Sequence, residues 1–452
     1  MVADTGARTR VLVVTGDVLG AKMAGPAIRA FEVAKTLHES CEVRLVSTQG
    51  STLAHDAFEV LHADEAELRH QVDWAEVLFF QGYTLSAHPW IRQTDTLIVA
   101  DVYDPMHLEF LEQGKDSPQR FRVKQGKYVT EVLNVQLEIA DFMVCASEKQ
   151  RDFWLGQLSG LGRLNLHNYD ADPSLRSLID IAPFGISEQP PVQTRHAIKG
   201  TVPGIGADDQ VVLWGGGIYN WFDPLTLIRA VAKLAPSRPQ LRLFFLGVKH
   251  PNPEVPAMRV AAEAMQLADE LGLTDRHVFF NTEWVDYEDR VNYLLDADLG
   301  VSTHLDHVET AFSFRTRILD YLWAGLPIVS TDGDTFAGLI REHGLGSVVP
   351  PQDVDALAAA IEAELYAPAA EREATAERVR EFGRGFTWRR TLGPLVEFCT
   401  APRRAADLAA AGGRALPART QATRAVSLLR HTTLWRHTEP QREWVKRLLR
   451  RG

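Results

Sequence analysis

The sequence predicts an α/β protein with two doubly wound parallel sheets. Apolar runs of four to six residues alternate with longer helical stretches from the first predicted strand onward. Parallel βαβ units bury their strands on both faces, so their strands read as continuous apolar runs. The pattern starts again near Ala197, and 452 residues exceed what one hydrophobic core usually organises. We therefore expect two Rossmann-like domains.

Six strands are predicted in each half of the chain. Those of the first half lie near Val11–Val14, Val43–Val46, Val77–Phe80, Thr96–Ala100, Phe142–Cys145 and Leu178–Ala182. Those of the second half lie near Val211–Trp214, Leu241–Leu246, His277–Phe280, Leu299–Ser302, Ile328–Ser330 and Gly346–Val349. Consecutive prolines after the last strand of the first half exclude helix and favour a linker. We expect domains at 1–190 and 191–385, a returning helix at 386–410 and a basic amphipathic tail at 411–452.

The charge distribution argues against a nucleic-acid binder. The chain carries −11 overall, but beyond Thr400 twelve lysines and arginines face three acidic residues, a net +9, so the body carries about −20. Nucleic-acid affinity needs clustered cations that neutralise phosphates. Cys41, Cys145 and Cys399 are too widely separated for a zinc site or disulfide framework, and the first apolar run is too short for an export signal. We expect a soluble, cytoplasmic protein.

The basic tail has the composition of an interfacial helix. Trp444, Val445, Leu448 and Leu449 share one helical face and are surrounded by arginines and lysines. Such a helix binds the surface of an anionic membrane through its apolar face and its cations. A tail helix that packs on the acidic body or on a second subunit accounts for the same residues. The sequence leaves both alternatives open.

Two glycine-rich turns each join a predicted strand to a helix. The first includes Gly25 and Pro26, and the second contains Gly216 and Gly217, followed by Tyr219 and Asn220. Glycine lets a phosphate approach the backbone amides and the positive end of the helix. Tyr219 and its aromatic neighbours can stack on a base or sugar. Tight turns and interdomain packing are the alternative interpretation.

The segment from Ser302 to Pro327 contains the candidate catalytic cations. Arg315 and Arg317 fall near a predicted helix start, where cations oppose the helix dipole, so an anionic ligand is indicated. Ion pairs with neighbouring carboxylates such as Glu309 are the alternative. His304 and His307 beside these acids have no fixed metal-binding geometry, and we expect no metal.

Further candidates lie at the carboxyl ends of predicted strands. Lys249 follows a strand and would clamp a phosphate as a point charge. Asp104 ends a first-domain strand and would accept a hydrogen bond from a sugar hydroxyl, although it equally suits a turn before Pro105. Trp284 and Phe314 are our aromatic candidates for nucleotide-sugar contacts.

Residues 10 to 395 resemble the retaining glycosyltransferases of family four (glycosyltransferase group 1), which have the GT-B architecture of two facing Rossmann-like domains. The resemblance rests on Met23-Ala24-Gly25-Pro26, on Pro183-Phe184-Gly185 and on the run from Leu319 to Val329. That run is similar to the Glu-Ala-Met-Ala-x-Gly-x-Pro segment of the family. Asp320 stands where the second glutamate of the Glu-x7-Glu motif binds the nucleotide ribose, so the resemblance gives Asp320 this role.

The sequence departs from the family pattern at three places. Phe312 occupies the register of the first glutamate, and Glu309 is the candidate replacement. The arginine and lysine that the family places after the second glycine turn are absent, so Arg315 and Arg317 are inferred to supply that charge. The family's first-domain histidine is replaced in the region of Asp104.

The resemblance implies a glycosyltransferase of the hexosyltransferase type that works with retention. Its donor would be a nucleotide-diphosphate sugar, its acceptor a glycan, a lipid-linked molecule or a small molecule, and no cofactor or metal is expected. Such a protein would serve glycan or cell-envelope synthesis from the cytoplasm or at the inner face of the membrane. A sugar-nucleotide epimerase and a catalytically silent subunit of a glycan assembly complex remain alternatives. A nicotinamide dehydrogenase does not fit the glycine spacing.

Overall fold

The computed structural model describes residues 8–248 and 258–414. They form two α/β domains, each built on a parallel sheet with core on both faces. In the first strand, Val11 and Val13 enter one core cluster, whereas Leu12 and Val14 enter another. This alternation is what a strand buried on both faces requires. The predicted α/β class with two parallel-sheet domains is therefore confirmed.

The first sheet has seven parallel strands in the order β3-β2-β1-β4-β5-β6-β7. Its strands are β1 Arg10–Thr15, β2 Glu42–Ser47, β3 Glu59–His62, β4 Val77–Gln81, β5 Leu97–Asp101, β6 Phe142–Cys145 and β7 Ile179–Ile181. The strand order reverses direction between β1 and β4. In open α/β sheets, ligands bind outside the carboxyl ends of the strands at such a reversal.

The second sheet has six parallel strands in the order β10-β9-β8-β11-β12-β13. Its strands are β8 Gln210–Trp214, β9 Leu241–Phe245, β10 Val278–Phe280, β11 Leu299–Ser302, β12 Ile328–Thr331 and β13 Gly346–Val349. Here the reversal lies between β8 and β11. Each sheet thus offers one ligand-binding position by topology.

Helices cover both sheets. Those of the first domain are α1 Gly25–His38, α2 Glu65–Trp74, α3 Thr84–Ala87, α4 Met106–Gln113, α5 Gln119–Ile139, α6 Glu148–Gly160 and α7 Leu166–Ala171. Those that follow are α8 Pro224–Leu234, α9 Arg259–Glu270, α10 Arg290–Leu295, α11 Val308–Phe312, α12 Thr316–Ala324, α13 Thr335–His343, α14 Val354–Tyr366, α15 Ala369–Gly383, α16 Trp388–Thr391, α17 Gly393–Thr400 and α18 Ala406–Ala410. Asp64, Ser147, Asp223 and Asp334 cap four of them through side-chain oxygens.

All twelve predicted strands are present, within one residue at either end. The edge strand β3 was not predicted, because its four residues include a glutamate and a histidine and give almost no apolar run. The segment between the end of β11 at Ser302 and Phe314 contains a short helix, α11, that was not predicted. The start of α11 is capped by the His307 ring, whose Nδ1 accepts a hydrogen bond from the Thr310 amide at 3.2 Å.

The chain crosses between the domains twice at one place. The Ile186 amide donates to the Phe386 carbonyl at 2.8 Å, and the Trp388 amide donates back to the Ile186 carbonyl at 3.1 Å. A Cβ on Gly185 would lie 2.7 Å from the Trp388 backbone, so only glycine fits this crossing. Beyond it, Phe398 of α17 stacks on Phe142 of the first sheet at 4.8 Å. The segment after the second domain therefore packs on the first.

The last described residues are also fastened to the first domain. Arg163 holds Asp407 at 2.7 Å, and Arg414 holds the buried Asp141 at 2.7 Å. Arg414 belongs to the predicted tail, yet its side chain is almost fully buried. The rest of that tail, 415–452, lies outside the described residues.

Candidate functional site

A cleft of about 820 Å³ lies between the carboxyl ends of the two sheets. Gly16 and Gly82 follow β1 and β4 on the first-domain side, and Gly215 follows β8 on the other side. These are the positions at which the strand order reverses. Both topologically favoured ligand positions therefore open into the same cleft.

Arg315 lies in the cleft wall immediately before α12. Its guanidinium forms two hydrogen bonds to Glu309, at 2.9 and 2.8 Å, and both side chains are buried. The Phe222 ring lies 4.8 Å from the guanidinium carbon. Such a bidentate pair fixes the orientation of the arginine. Glu309 is thus the partner that holds Arg315, as the ion-pair alternative expected.

Arg317 is a buried cation for which no carboxylate partner is found among the described residues. Its guanidinium lies between the rings of Trp214 and Phe222, at 4.2 and 4.1 Å. Its Nη2 donates to the Gly217 carbonyl at 2.9 Å, whereas its Nη1 has no hydrogen-bond acceptor in the described chain. Burial lowers the pKa of Arg317 to about 10, and the neighbouring Arg315 also lowers it. A buried cation of this kind calls for an anionic ligand.

The second glycine turn is held in place by Tyr321 from α12. The Tyr321 hydroxyl accepts a hydrogen bond from the Gly215 amide at 2.8 Å. Gly300 leaves room for the ring, since a Cβ there would lie 2.4 Å from it. Gly216 has a φ of +97°, which favours glycine. The turn therefore presents its backbone, with Gly217, to the cleft.

Asp320 lines the cleft on α12 and is paired with a residue that the sequence analysis missed. Arg290 lies 3.2 Å from the Asp320 carboxylate, and its guanidinium stacks on Tyr287 at 3.8 Å. The Tyr287 hydroxyl donates to Glu32 of the first domain at 3.1 Å. A carboxylate fixed in this way has remaining lone pairs for the hydroxyls of a ligand.

Aromatic residues surround the second-domain side of the cleft. Tyr219 stacks on Trp221 at 4.9 Å, and both line it, as does Phe314. The Trp284 indole donates to the Met23 carbonyl at 3.0 Å, next to Gly25 at the start of α1. Flat apolar surfaces of this kind are suited to a base or a sugar ring.

The first-domain wall carries carboxyl groups. Asp101 at the end of β5 is paired with Arg29 at 2.5 Å, and both side chains are fully buried. Asp104 and Glu109 are half-buried and line the cleft. Burial, with a contribution from the charges of Asp101 and Glu309, raises the pKa of Asp104 to about 7. Burial also raises the pKa of Glu109 well above its usual range, with Asp104 and Glu309 adding to the effect.

Most of the predicted site residues share the cleft. Its lining includes Gly25, Asp104, Gly216, Gly217, Tyr219, Trp284, Phe314, Arg315, Arg317 and Asp320. Glu309 lies behind Arg315, and the Asn220 side chain accepts a hydrogen bond from the Val260 amide at 3.2 Å, away from the lining. Lys249 lies outside the described residues. The roles of all these residues remain predictions.

Sequence reasoning missed Arg290 and Glu109. Neither residue belongs to a recognisable motif, and only the fold brings each of them to the cleft. Over 8–248 and 258–414, histidines, cysteines and acids form no group of three that suits a metal ion. No helix in those ranges is long and apolar enough to cross a membrane.

Two facing parallel-sheet domains around a cleft define the GT-B class of glycosyltransferase folds. The chain is similar to the sucrose-phosphate synthase of Thermosynechococcus elongatus, with a TM-score of 0.62 and 16% identity over 88% of this chain and 100% of that one. It is also similar to the Anabaena protein HepE in complex with UDP-glucose, with a TM-score of 0.57 and 15% identity over 87% of this chain and 99% of the other. At 15–16% sequence identity, this structural similarity establishes the fold alone.

Residues 209–366 match the family model described as Glycosyl transferases group 1. The D-inositol 3-phosphate glycosyltransferase of Mycolicibacterium smegmatis is 28% identical over 239 residues, which cover 52% of this chain and 48% of that protein. Its counterpart from Mycobacterium ulcerans is 30% identical over 201 residues, or 43% of this chain and 39% of that one. The chain thus spans about half the length or less of these relatives. The family match thus concerns the second domain, and the chain as a whole shares the fold of GT-B glycosyltransferases.

Proposed function

We propose that the cleft binds a nucleotide-diphosphate sugar and transfers the sugar to an acceptor with retention of the anomeric configuration. The observation that carries the proposal is the pair of buried arginines at the start of α12, Arg315 and Arg317. A guanidinium nitrogen of Arg317 is buried without an acceptor among the described residues. A diphosphate supplies the anionic oxygens that such a group lacks.

Each part of the donor has a matching group in the cleft. The diphosphate would contact Arg315, Arg317 and the backbone of Gly216 and Gly217. Its ribose hydroxyls would donate to Asp320, as the resemblance to family four implies. The base and the sugar would use the aromatic surfaces of the second domain. The likeness to a protein solved with UDP-glucose supports a donor of this class.

The chemistry would rely mainly on electrostatic stabilisation of the leaving group. As the bond from the anomeric carbon to the diphosphate breaks, negative charge grows on the diphosphate oxygens. Arginines already oriented by Glu309, Trp214 and Phe222 need little reorganisation to stabilise that charge. With retention, the acceptor hydroxyl attacks from the side that the diphosphate leaves, and a diphosphate oxygen takes the hydroxyl proton.

The missing first glutamate of the family motif favours the alternative of a catalytically silent subunit. Phe312, which stands at that register, packs on Phe153 of the first domain at 4.6 Å, and its carbonyl accepts a hydrogen bond from Gln150 at 2.8 Å. This position therefore serves a contact between the domains. A catalytically silent subunit would show binding without turnover, whereas an epimerase would release nucleotide with no glycosylated acceptor.

A thermal-shift panel with UDP, GDP, TDP, ADP and NAD tests the proposal first. A ligand at about a hundred times its dissociation constant stabilises the folded state by about 2.7 kcal/mol. We expect a clear rise in melting temperature with one nucleoside diphosphate. No rise with any of them, or a rise only with NAD, would contradict the proposal.

We further propose that the protein works at the inner face of a membrane through its basic tail. The support is the composition of residues 423–452, which combines an apolar face with clustered arginines. We expect the full chain to sediment with vesicles that contain anionic lipid, and deletion of residues 420–452 to abolish this. Sedimentation that survives the deletion would refute the role of the tail.

A further inference from the structure

The first-domain wall of the cleft is acidic, and it faces the side on which an acceptor would bind. Four carboxyl groups line it, those of Asp17, Asp101, Asp104 and Glu109. No lysine or arginine from the described part of that domain lines the cleft. The nearby Arg29 is fully buried and is paired with Asp101, so Asp17, Asp104 and Glu109 are the other carboxyl groups of this wall.

Glu109 projects from α4 as a half-buried carboxyl group. Within 8–248 and 258–414, no hydrogen bond or ion pair joins its carboxylate to another side chain. The Tyr103 hydroxyl hydrogen-bonds to Asp104, which shares the wall with Glu109. Carboxyl oxygens in such a position accept hydrogen bonds from hydroxyl or ammonium groups. In their ionised form they repel a phosphate, and the described lining of this wall supplies no Lys or Arg that would offset the repulsion.

We infer that Asp104 and Glu109 form an acceptor subsite that takes a polyhydroxyl compound without phosphate at this wall and discriminates against its phosphorylated counterpart. This inference rests on the proposed function and deepens it, since it concerns the acceptor of the same cleft. The inferred acceptor carries no phosphate, in contrast to the inositol 3-phosphate in the names of these relatives. In the proposed function, Arg315 and Arg317 of the second domain bind the diphosphate of the donor and do not bind the acceptor.

Matched pairs of small molecules test the subsite on the full chain. The protein is first saturated with the nucleoside diphosphate that raises its melting temperature. Dissociation constants are then measured by ligand-observed NMR titration for myo-inositol and inositol 3-phosphate, and for glucose and glucose 6-phosphate, with glucosamine as an ammonium-bearing probe. We expect each unphosphorylated compound to bind at least tenfold more tightly than its phosphate, and glucosamine to bind at least as tightly as glucose.

Variants distinguish a direct role from a structural one. Glu109→Gln removes the ability of the side chain to ionise and keeps its shape, so the preference within each pair should fall at least threefold, and Asp104→Asn should act in the same direction. Glu131→Gln changes an exposed glutamate on α5 and should leave the preference unchanged. A folding defect would weaken both members of a pair equally and would not alter their ratio.

Three outcomes would overturn the inference. These are a phosphorylated compound that binds as tightly as its partner, a preference that neither Glu109→Gln nor Asp104→Asn changes, and the absence of binding by every compound in the set. Each of these is measured with nucleoside diphosphate bound. They are therefore distinct from failure of the proposed function, in which no nucleoside diphosphate binds.

Discussion

The two walls of the cleft carry opposite charges on similar scaffolds. In the described lining, the second-domain wall presents Arg290, Arg315 and Arg317 with a single carboxylate, Asp320, whereas the first-domain wall has four carboxyl groups and no lysine or arginine. Both walls consist of the turns that follow parallel strands and of helices beyond these turns. The sheet topology therefore determines where ligands bind, and the side chains on these turns and helices determine which charge each wall accepts.

The largest effect is expected on stability when the buried ion pair between Arg315 and Glu309 in the second domain is broken. Arg315→Met leaves Glu309 buried without its partner, which should lower the free energy of unfolding by about 3–5 kcal/mol. The double variant Arg315→Met with Glu309→Gln should recover much of this loss in urea denaturation. Arg341→Met, which breaks an exposed pair with Asp332, should change stability by less than about 1 kcal/mol. Equal stability of the single and double variants would contradict the buried pair.

Next in size is the effect of removing Arg317, for which residues 8–248 and 258–414 supply no carboxylate partner. Arg317→Ala should reduce turnover with the identified donor about 100- to 1000-fold, or about 2.7–4 kcal/mol, by analogy with the loss of one oxyanion donor. Arg341→Ala is the exposed control. If Arg317→Ala retains near-normal turnover, charge on the second-domain wall does not stabilise the leaving group.

Asp320 on the second-domain wall provides a more specific test with a smaller expected effect. Asp320→Asn should weaken nucleoside diphosphate binding by about 1.5–3 kcal/mol, the range for hydrogen bonds to charged groups. Titration calorimetry with the identified diphosphate and its 2′-deoxy and 3′-deoxy forms locates the effect. At least one deoxy form should bind more weakly than the parent to the wild type but not to Asp320→Asn. A loss that is the same for all three ligands would argue against ribose contact, and Asp332→Asn serves as the exposed control.

The smallest effect concerns the pH response of the acidic wall. Because the folded-state pKa of Asp104 is raised to about 7, its folded form binds more protons than its unfolded form between about pH 4 and 7. Stability should therefore fall as the pH rises through this window. This shift alone would make the wild type lose about 2–3 kcal/mol more than Asp104→Asn between pH 5 and 8. Because solvent screens the half-buried carboxyl group, we expect a difference of about 1 kcal/mol in urea denaturation. The Asp104 carboxyl is surrounded by five residues that carry charge or can ionise, namely Arg29, Asp101, Tyr103, Glu109 and Glu309. If the stability of both proteins depends on pH in the same way, these neighbours offset the pKa shift of Asp104.

The strands were predictable because each is a continuous apolar run that a two-sided core requires. The glycine turns and Arg315 were predictable because they follow strands that end at one sheet edge. Arg290 could not be found in this way, since its place beside Asp320 depends on the packing of α10 against α12. Glu109 was equally hidden, because α4 is short and gives no local sign of which face meets the second domain.

The double crossing at Gly185 and Trp388 makes the second domain an insertion within the first. Its entry and exit strands are hydrogen-bonded neighbours at Ile186 and Thr387, so the inserted region leaves and returns at one point. A recombination experiment could therefore exchange this region as one cassette with only two adjacent junctions. The acidic wall, α17 and the Arg163–Asp407 clamp would all stay with the recipient. In evolutionary terms, such a design lets the two walls of the cleft be inherited separately.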